Sequence, residues 1–459
     1  MKDRHAVIVG GGISGLSAAF FLSQKASQEQ FPLKITILEA SDRWGGVLRT
    51  LSHGDLRMES GADAFYGGQS DTLDLCRALG LEGDVIEAAP CFRNFFYLKN
   101  NKFYRMQGFP GSWGDVLGFL GNPNLGFAAK CRMLAEPFVL RKSGEEDESI
   151  ADFVGRRLGK NFYREAVMPL VRGVYMADPE HASLNALFPK WRQAEETQGS
   201  LTGSFLDRIR AKKKKSAAEF FTLRQGLEGL ARTLERELGH CQLQRSTPVR
   251  QCVYDAGWKI LLENGAALDA DILGLAMNAP DSARLLSSTA PELSRALSAV
   301  RYDSISTVSF AYSAEDMPVV RIEPGFWVPA DGGQYPFSSF KWLGKSADRK
   351  YALARAFISE AMLPEVFHKS DEILSREAAT FTGDLFGARS KPLFTDVKRY
   401  LKALPQYEVG HLERVAEIEK ESSRYPGLFL AGNGLQGFGI TDCIRRARFA
   451  VTSLRYPMP

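Results

Sequence analysis

Six residues near the start of the chain carry the first recognisable chemistry. Gly10, Gly11, Gly12, Ile13, Ser14 and Gly15 fit the pattern G-x-G-x-x-G. In such a turn the first glycine permits a tight bend and the second lets main-chain amides touch a diphosphate. The third lets the following helix lie close to the preceding strand. The helix N-terminus adds N–H groups and a partial positive charge. About two dozen residues further on, Glu39 closes an apolar run, at the place where an acid binds ribose hydroxyls and opposes a 2′-phosphate. The ligand this predicts is a dinucleotide with an ADP half, and NADP is disfavoured.

These groups need elements to hold them. The apolar run at residues 5–9 predicts a buried parallel strand, and residues 13–23 a helix with Leu16, Ala18, Ala19 and Phe20 available for packing. Residues 33–39 predict the next strand, which completes one right-handed βαβ unit. From about Phe92 to Arg210 the pattern is mostly helical. After a basic run at 212–215, residues 220–237 read as a strand leading into an amphipathic helix. Strands follow at 248–254, 258–262, 272–276, 306–312 and 351–358, with a helix at 370–382. Residues 427–433 form a last buried strand running into glycines, and no internal repeat of fixed period is present.

Composition bounds the alternatives. A chain of 459 residues exceeds one ordinary core, and 44% hydrophobic with 24% charged residues is typical of a globular enzyme. The net charge of +4 gives no reason to expect nucleic acid as a partner. The six cysteines form no C-x-x-C pair and no metal-ligand spacing, so reduced thiols in a cytoplasmic setting are expected. No run approaches the ~18 apolar residues of a membrane-spanning helix.

Beyond Glu39, the stretch from Ala40 through Arg43, Gly45, Gly46, Val47 and Thr50 fits R-x-G-G-x-x-x-T. It resembles the second signature of the flavin amine oxidase superfamily, which implies FAD. In that superfamily the glycines let the chain wrap beside the flavin, and the arginine sits near the phosphates. Near the C-terminus, Gly432 and Asn433 precede Phe438, Gly439 and Ile440 at the start of a helix. The resemblance places these residues against the isoalloxazine, where a helix N-terminus favours the anionic reduced flavin. It also places Gly61, Ala62, Asp63, Ala64, Val249 and Tyr400 at the cofactor. There is no second G-x-G-x-x-G for a pyridine nucleotide, so electrons are expected to leave to molecular oxygen or a quinone.

Three further segments narrow the resemblance. Residues 172–179 (RGVYMADP) with Ser183, Leu184, Phe188 and Pro189, residues 404–411 (LPQYEVGH), and residues 437–445 (GFGITDCIR) are similar to blocks of the protoporphyrinogen/coproporphyrinogen oxidase family. The departures are Ala62 and Ala64 in the usual G-P-x-S-F, Met176-Ala177 for Ala-Gly, Tyr400 for tryptophan, and Gln225 for glycine. The resemblance implies an α/β architecture in three parts. These are a Rossmann-type FAD-binding domain (1–65, 220–290 and 395–459), an inserted mixed-sheet substrate domain (66–91 and 291–394), and a mostly helical domain (92–219). It implies oxidation of a porphyrinogen in haem biosynthesis, with three two-electron steps passing through flavin to oxygen and no catalytic triad.

The substrate contacts the resemblance implies are Arg93, Arg172 and the Gly173 carbonyl, with Arg93 as a planar fork for a propionate. His411 reads as a core histidine, and Cys443 as packing rather than a covalent flavin attachment. The aromatic and basic residues between Phe92 and Arg105, with the loop at 109–113, read either as a peripheral contact on the inner face of a membrane or as tunnel lining. The basic run at 212–215 is a solvated face or a lipid contact. A homodimer is left open. An amine oxidase or carotenoid desaturase on the same fold is the first competing reading, and residues 172–179 and 404–411 speak against it. A flavin-binding partner of a haem enzyme, without turnover, is the second.

Overall fold

The computed structural model describes residues 4–54, 56–88, 95–99, 102–106, 126–142, 146–204, 220–317, 325–329, 335–346 and 350–454, together with Gly121 and Gly144. At its centre lies a five-stranded parallel sheet in the order Gln242–Gln244, Leu33–Leu38, Arg4–Val9, Ile272–Leu275 and Leu428–Leu430. Val9 pairs with both Leu38 and Leu275, so three strand ends meet at one edge beside the glycine turn. The strands are apolar on both faces because both are covered. Helices Ile13–Gln28 and Ile440–Thr452 cover one face, with Ile8, Leu16, Ile37 and Ile444 buried between. An antiparallel three-stranded layer (Val249–Tyr254, Trp258–Leu262, Ala267–Ala270) shares a core with the other face through Val7, Leu275 and Trp258.

This is the Rossmann-type arrangement expected. The first helix runs to Gln28, five residues beyond its predicted end, because Ala26 keeps its apolar stripe in the core. The last strand is shorter than predicted, Leu428–Leu430, since residues 431–439 turn away in glycine-rich loops.

The second large element is a seven-stranded sheet. Its order is Phe394–Gln406, Arg301–Ser313, Tyr351–Ser359, Ser339–Lys345, Gly325–Pro329, Phe95–Lys99 and Lys102–Met106. Neighbours are antiparallel except Gly325–Pro329 with Phe95–Lys99, so the sheet is mixed as expected. Period-two alternation along these strands puts Val308, Phe310, Tyr312, Phe340 and Trp342 on one face. Helix Asp371–Phe386 packs there, capped by the Ser370 hydroxyl at one end and left-handed Gly387 at the other. Each large apolar side chain buried in this way contributes roughly 1.5–3 kcal/mol.

Two expectations change here. Strands Phe95–Lys99 and Lys102–Met106 pair antiparallel on this sheet rather than starting the helical region, and Phe96 and Leu98 are buried in its core. The aromatic run, read either as a membrane contact or as tunnel lining, is in this part paired strand. Residues 395–406, expected with the FAD-binding part, extend the same sheet as partners of Arg301–Ser313. Arg93, Cys91, the 109–113 loop and the 212–215 run lie outside the described residues.

The remaining layer is helical. Ile150–Arg157, with Ser149 as its cap, packs on two π-helical turns, Tyr163–Val167 and Val171–Tyr175. Buried Arg157 is held by Glu136 and Glu195, a closed ionic network that keeps these short helices together.

Candidate active site

The two glycine motifs meet in space. Gly10 takes φ +109°, and its amide donates to the Leu38 carbonyl at 2.8 Å, which bends the chain off the sheet. A Cβ on Gly15 would lie 1.8 Å from the Gly10 carbonyl oxygen, so only glycine lets the helix sit so close to the turn. The Gly45 amide donates to the Gly11 carbonyl at 2.8 Å and joins the second motif to the first. Glu39 accepts from the Gly11 amide at 2.6 Å and from the Ser41 amide and hydroxyl at 2.8 and 2.7 Å. Each carboxylate oxygen has two lone pairs, so acceptor capacity for a sugar hydroxyl remains beside exposed Ala40.

Arg43 has partners of its own within the second motif. Its guanidinium donates to the carbonyls of Gly46 and Leu48 at 2.7 and 2.6 Å and fastens its own loop. The main-chain amides of Ile13 and Ser14, in the first turn of the helix, are groups that could hold a phosphate. The Ser14 side chain is buried.

A groove runs between these loops. A Cβ on Gly12 would find only the Gly46 Cα, at 4.0 Å, and Val47 is 40% exposed despite being apolar. Gly61 packs on the Val47 carbonyl, and Ala62, Asp63 and Ala64 continue the wall half-buried. Tyr400 donates to Ser60 Oγ at 3.1 Å. Val249 follows a segment whose Ser246 and Thr247 amides donate to the carbonyls of Ser41 and Glu39, both at 2.8 Å, so it adjoins the ribose end. On the far side stand Phe438 and the exposed Gly439, which caps helix Ile440–Thr452. Asp442 accepts from the Gly439 amide at 3.2 Å, so the turn preceding this helix is fixed. The residues fit a flavin dinucleotide: a Cβ-free cleft for the diphosphate, an acid for the ribose, and an open apolar-walled end beside a helix N-terminus.

The strand end that carries Gly432 is clamped. Both polar ends of the Asn433 carboxamide are already bonded, to the Tyr302 hydroxyl at 3.0 Å and the Ala403 carbonyl at 2.8 Å. The Tyr407 hydroxyl donates to the Asn433 carbonyl at 2.5 Å. Asn433 thus fastens the loop through both ends of its carboxamide. His411 stacks on Tyr407 with ring centroids 4.1 Å apart and bonds the Leu435 carbonyl at 2.9 Å. Burial holds its pKa below the ordinary imidazole range, although the bond to Leu435 opposes this. It is a core histidine, as expected. Burial pushes the Cys443 thiol up to about 11, so it is not the thiolate a covalent flavin link requires.

Beside this clamp opens a cavity of about 520 Å³ at the seam between the helical layer and the seven-stranded sheet. Gly173, Met176, Tyr302, Phe337, Gln406 and Tyr407 line it, and Arg172, His181 and Arg301 bring positive or titratable groups. Arg172 and His181 share Asp178, at 3.4 and 2.9 Å, and Arg301 pairs with Glu408 at 2.7 Å. The second π-turn ends at Met176, in left-handed conformation at φ +50°, and the Gln406 amide donates to its carbonyl at 3.2 Å. π-turns often mark functional sites. Tyr302, Asp303, Phe337 and Arg301 were not singled out in the sequence. Alternation would not have found them: consecutive residues 301–303 line the cavity together, beside a register shift between Asp303 and Ile305, and Phe337 precedes its strand.

With this geometry in place, comparison with known proteins gives the class. Residues 13–454 match the flavin containing amine oxidoreductase family, and the chain belongs to it. FAD is its cofactor, and the protein is an oxidoreductase. Among individual relatives, it is 27% identical to coproporphyrinogen III oxidase of Bacillus subtilis (strain 168), over 98% of this chain and 97% of that protein. It is 28% identical to protoporphyrinogen oxidase of Homo sapiens, over 98% of each chain. A solved structure from Exiguobacterium sp. 255-15 shares the fold with a TM-score of 0.85 at 24% identity, over 99% of both chains.

Proposed function

We propose that the protein oxidises a porphyrinogen to the porphyrin in haem biosynthesis. One observation carries the reading. The two sequence blocks that separate this chain from amine oxidases, 172–179 and 404–411, line a single cavity, through Arg172, Gly173, Met176, Ala177 and Asp178 on one side and Gln406, Tyr407 and Glu408 on the other. The bound flavin supplies a two-electron acceptor, used three times per macrocycle and reoxidised by molecular oxygen.

The chain's own part is binding and orientation. Apolar Met176, Phe337 and Leu363 face the macrocycle, and the Gly173 carbonyl accepts from its pyrrole N–H groups. Arg172 and Arg93 take propionates, Arg93 on sequence grounds alone. Residues 1–65, 220–290 and 407–459 hold FAD, the sheet of 301–406 with 95–106 walls the substrate, and the helical layer closes the cavity.

Phe127, Phe138 and Leu140 are 82, 88 and 88% exposed and lie among Lys130, Arg132, Arg141 and Lys142. We assign this patch to peripheral contact with anionic lipid, from which a poorly soluble substrate would be drawn. Co-sedimentation with phosphatidylglycerol vesicles but not phosphatidylcholine vesicles, lost in Phe138→Glu, is the expected result.

The deciding assay incubates the yellow protein aerobically with protoporphyrinogen IX and coproporphyrinogen III separately and follows porphyrin fluorescence. Absence of acceleration with both, despite bound FAD, sinks the reading.

A further inference from the structure

Three consecutive residues at the start of strand Arg301–Ser313 line the cavity, and each reaches a different segment of the chain. Arg301 Nη1 donates to Glu408 at 2.7 Å, and the Tyr302 hydroxyl donates to Asn433 at 3.0 Å. Asp303 Oδ2 accepts from the Ser359 hydroxyl at 2.5 Å. Its Oδ1 accepts from the amides of Ser304 and Ala361 at 2.8 and 3.1 Å. An unbroken strand would send neighbouring side chains to opposite faces. Here the register with strand Phe394–Gln406 shifts between Asp303 and Ile305, and Lys402 of the partner strand is left-handed at φ +46°. The Lys402 amide donates to Ser304 Oγ at 3.2 Å and fixes the irregularity. Bulges of this kind re-aim side chains beside active sites.

Asp303 reaches the turn that ends strand Tyr351–Ser359. Within that turn the Met362 amide donates to Ser359 Oγ at 3.2 Å, and the Leu363 amide donates to the Ser359 carbonyl at 3.0 Å. The Glu360 amide donates to the Ser304 carbonyl at 2.9 Å and ties the turn to the strand start a second time. Ala361, Met362 and Leu363 then line the cavity as three apolar residues in a row. Asp303 and Ser359 are 6 and 0% exposed, so the bond between them is sheltered from water. Burial raises the Asp303 pKa, and its three hydrogen bonds oppose the rise. All three donors belong to the strand start and the turn, so the carboxylate serves to hold that wall in place.

We propose that Asp303 is a positioning residue: by gripping the 359–363 turn it holds Met362 and Leu363 as a rigid apolar wall of the cavity, and so sets how tightly the macrocycle binds. The inference rests on the porphyrinogen reading of that cavity.

The test measures KM and kcat of the FAD-loaded protein with the porphyrinogen that the parent turns over, together with flavin content and melting temperature. Asp303→Asn is nearly isosteric but leaves one acceptor oxygen where there were two. It should raise KM about tenfold, the worth of one hydrogen bond to a charged group, with kcat within about twofold. Ser359→Ala removes the hydroxyl that the carboxylate grips and should raise KM by a similar factor. In the double variant the two effects should not multiply, because either change alone already frees the turn. A merely structural role lowers flavin content or the active fraction, and hence kcat, while KM stays put. That pattern, an unchanged KM in both single variants, or KM effects that multiply in the double, overturns the proposal. If Asp303→Asn does not fold, Ser359→Ala combined with Leu363→Ala decides in its place: KM effects that do not multiply support the proposal, and independent effects reject it. A parent inert toward both porphyrinogens with FAD bound defeats the reading of the cavity, whereas an active parent with unmoved variants defeats only the role of Asp303.

Discussion

Gly12→Ala separates the cofactor's need for space from the protein's own. The Gly12 backbone, at φ −72° and ψ −179°, suits any residue, and the added methyl would meet only the Gly46 Cα at 4.0 Å. Alanine is a poorer helix cap than glycine by under about 1 kcal/mol, and it lowers the entropy of the unfolded chain by a similar ~0.4–1 kcal/mol. The protein without cofactor should keep its melting temperature within about 2 °C. The methyl projects into the gap where the diphosphate passes. Crowding of this kind costs roughly 1–3 kcal/mol, which weakens FAD binding by about 5- to 150-fold. Titration of deflavinated protein, followed by quenching of FAD fluorescence, measures this directly. Gly15→Ala is the control of opposite character. Its Cβ would lie 1.8 Å from the Gly10 oxygen and 3.3 Å from the Ala276 Cβ, so the helix must leave the sheet and stability falls before any ligand is added. A Gly12→Ala protein that binds FAD within twofold of the parent would refute the assignment of this cleft to the diphosphate.

Glu59, half-buried at the end of strand Leu56–Glu59, accepts from the Leu227 amide at 2.7 Å, and its pKa is pushed up to about 7 by burial. A raised carboxyl pKa means stability that is full below the unfolded value and is lost as pH rises through 7, on the order of 3 kcal/mol for this shift. Glu59→Gln, which keeps an acceptor, should flatten the fall in melting temperature between pH 5 and 8; parallel curves for the two proteins would reject the account. Denaturation in acid should release all flavin from the polypeptide as intact FAD, because Cys443 stays a buried thiol; yellow precipitated protein is the contrary result. Arg172→Met should raise KM for porphyrinogen about tenfold with kcat little changed, the pattern of lost ground-state binding. A fall in kcat at constant KM would assign Arg172 a different role.

How much of this was legible in the sequence follows from the range of the interactions involved. The glycine turn, Glu39 and the strands around them are local: type and spacing dictate the bend and the acid's place, and both are found where expected. What spacing does not carry is the use of side chains once distant segments meet. Arg43 has the charge for a phosphate, yet the carbonyls of Gly46 and Leu48 lie within its reach and take the guanidinium first. Asn433 has the polarity for a flavin contact, but Tyr302 and Ala403, which arrive from the other sheet, take both ends of its carboxamide. Strands Phe95–Lys99 and Lys102–Met106 do not announce themselves in the sequence, because their partner Gly325–Pro329 lies more than two hundred residues away and each strand is only five residues long. Lys341 and Arg355 show the same effect most plainly. In sequence each is one cation inside an apolar strand; only the antiparallel register sets them side by side, with Asp63 brought to both from the loop before Phe65. Glycine turns are therefore readable one strand at a time, whereas the charge pairings around them belong to strands that meet from afar.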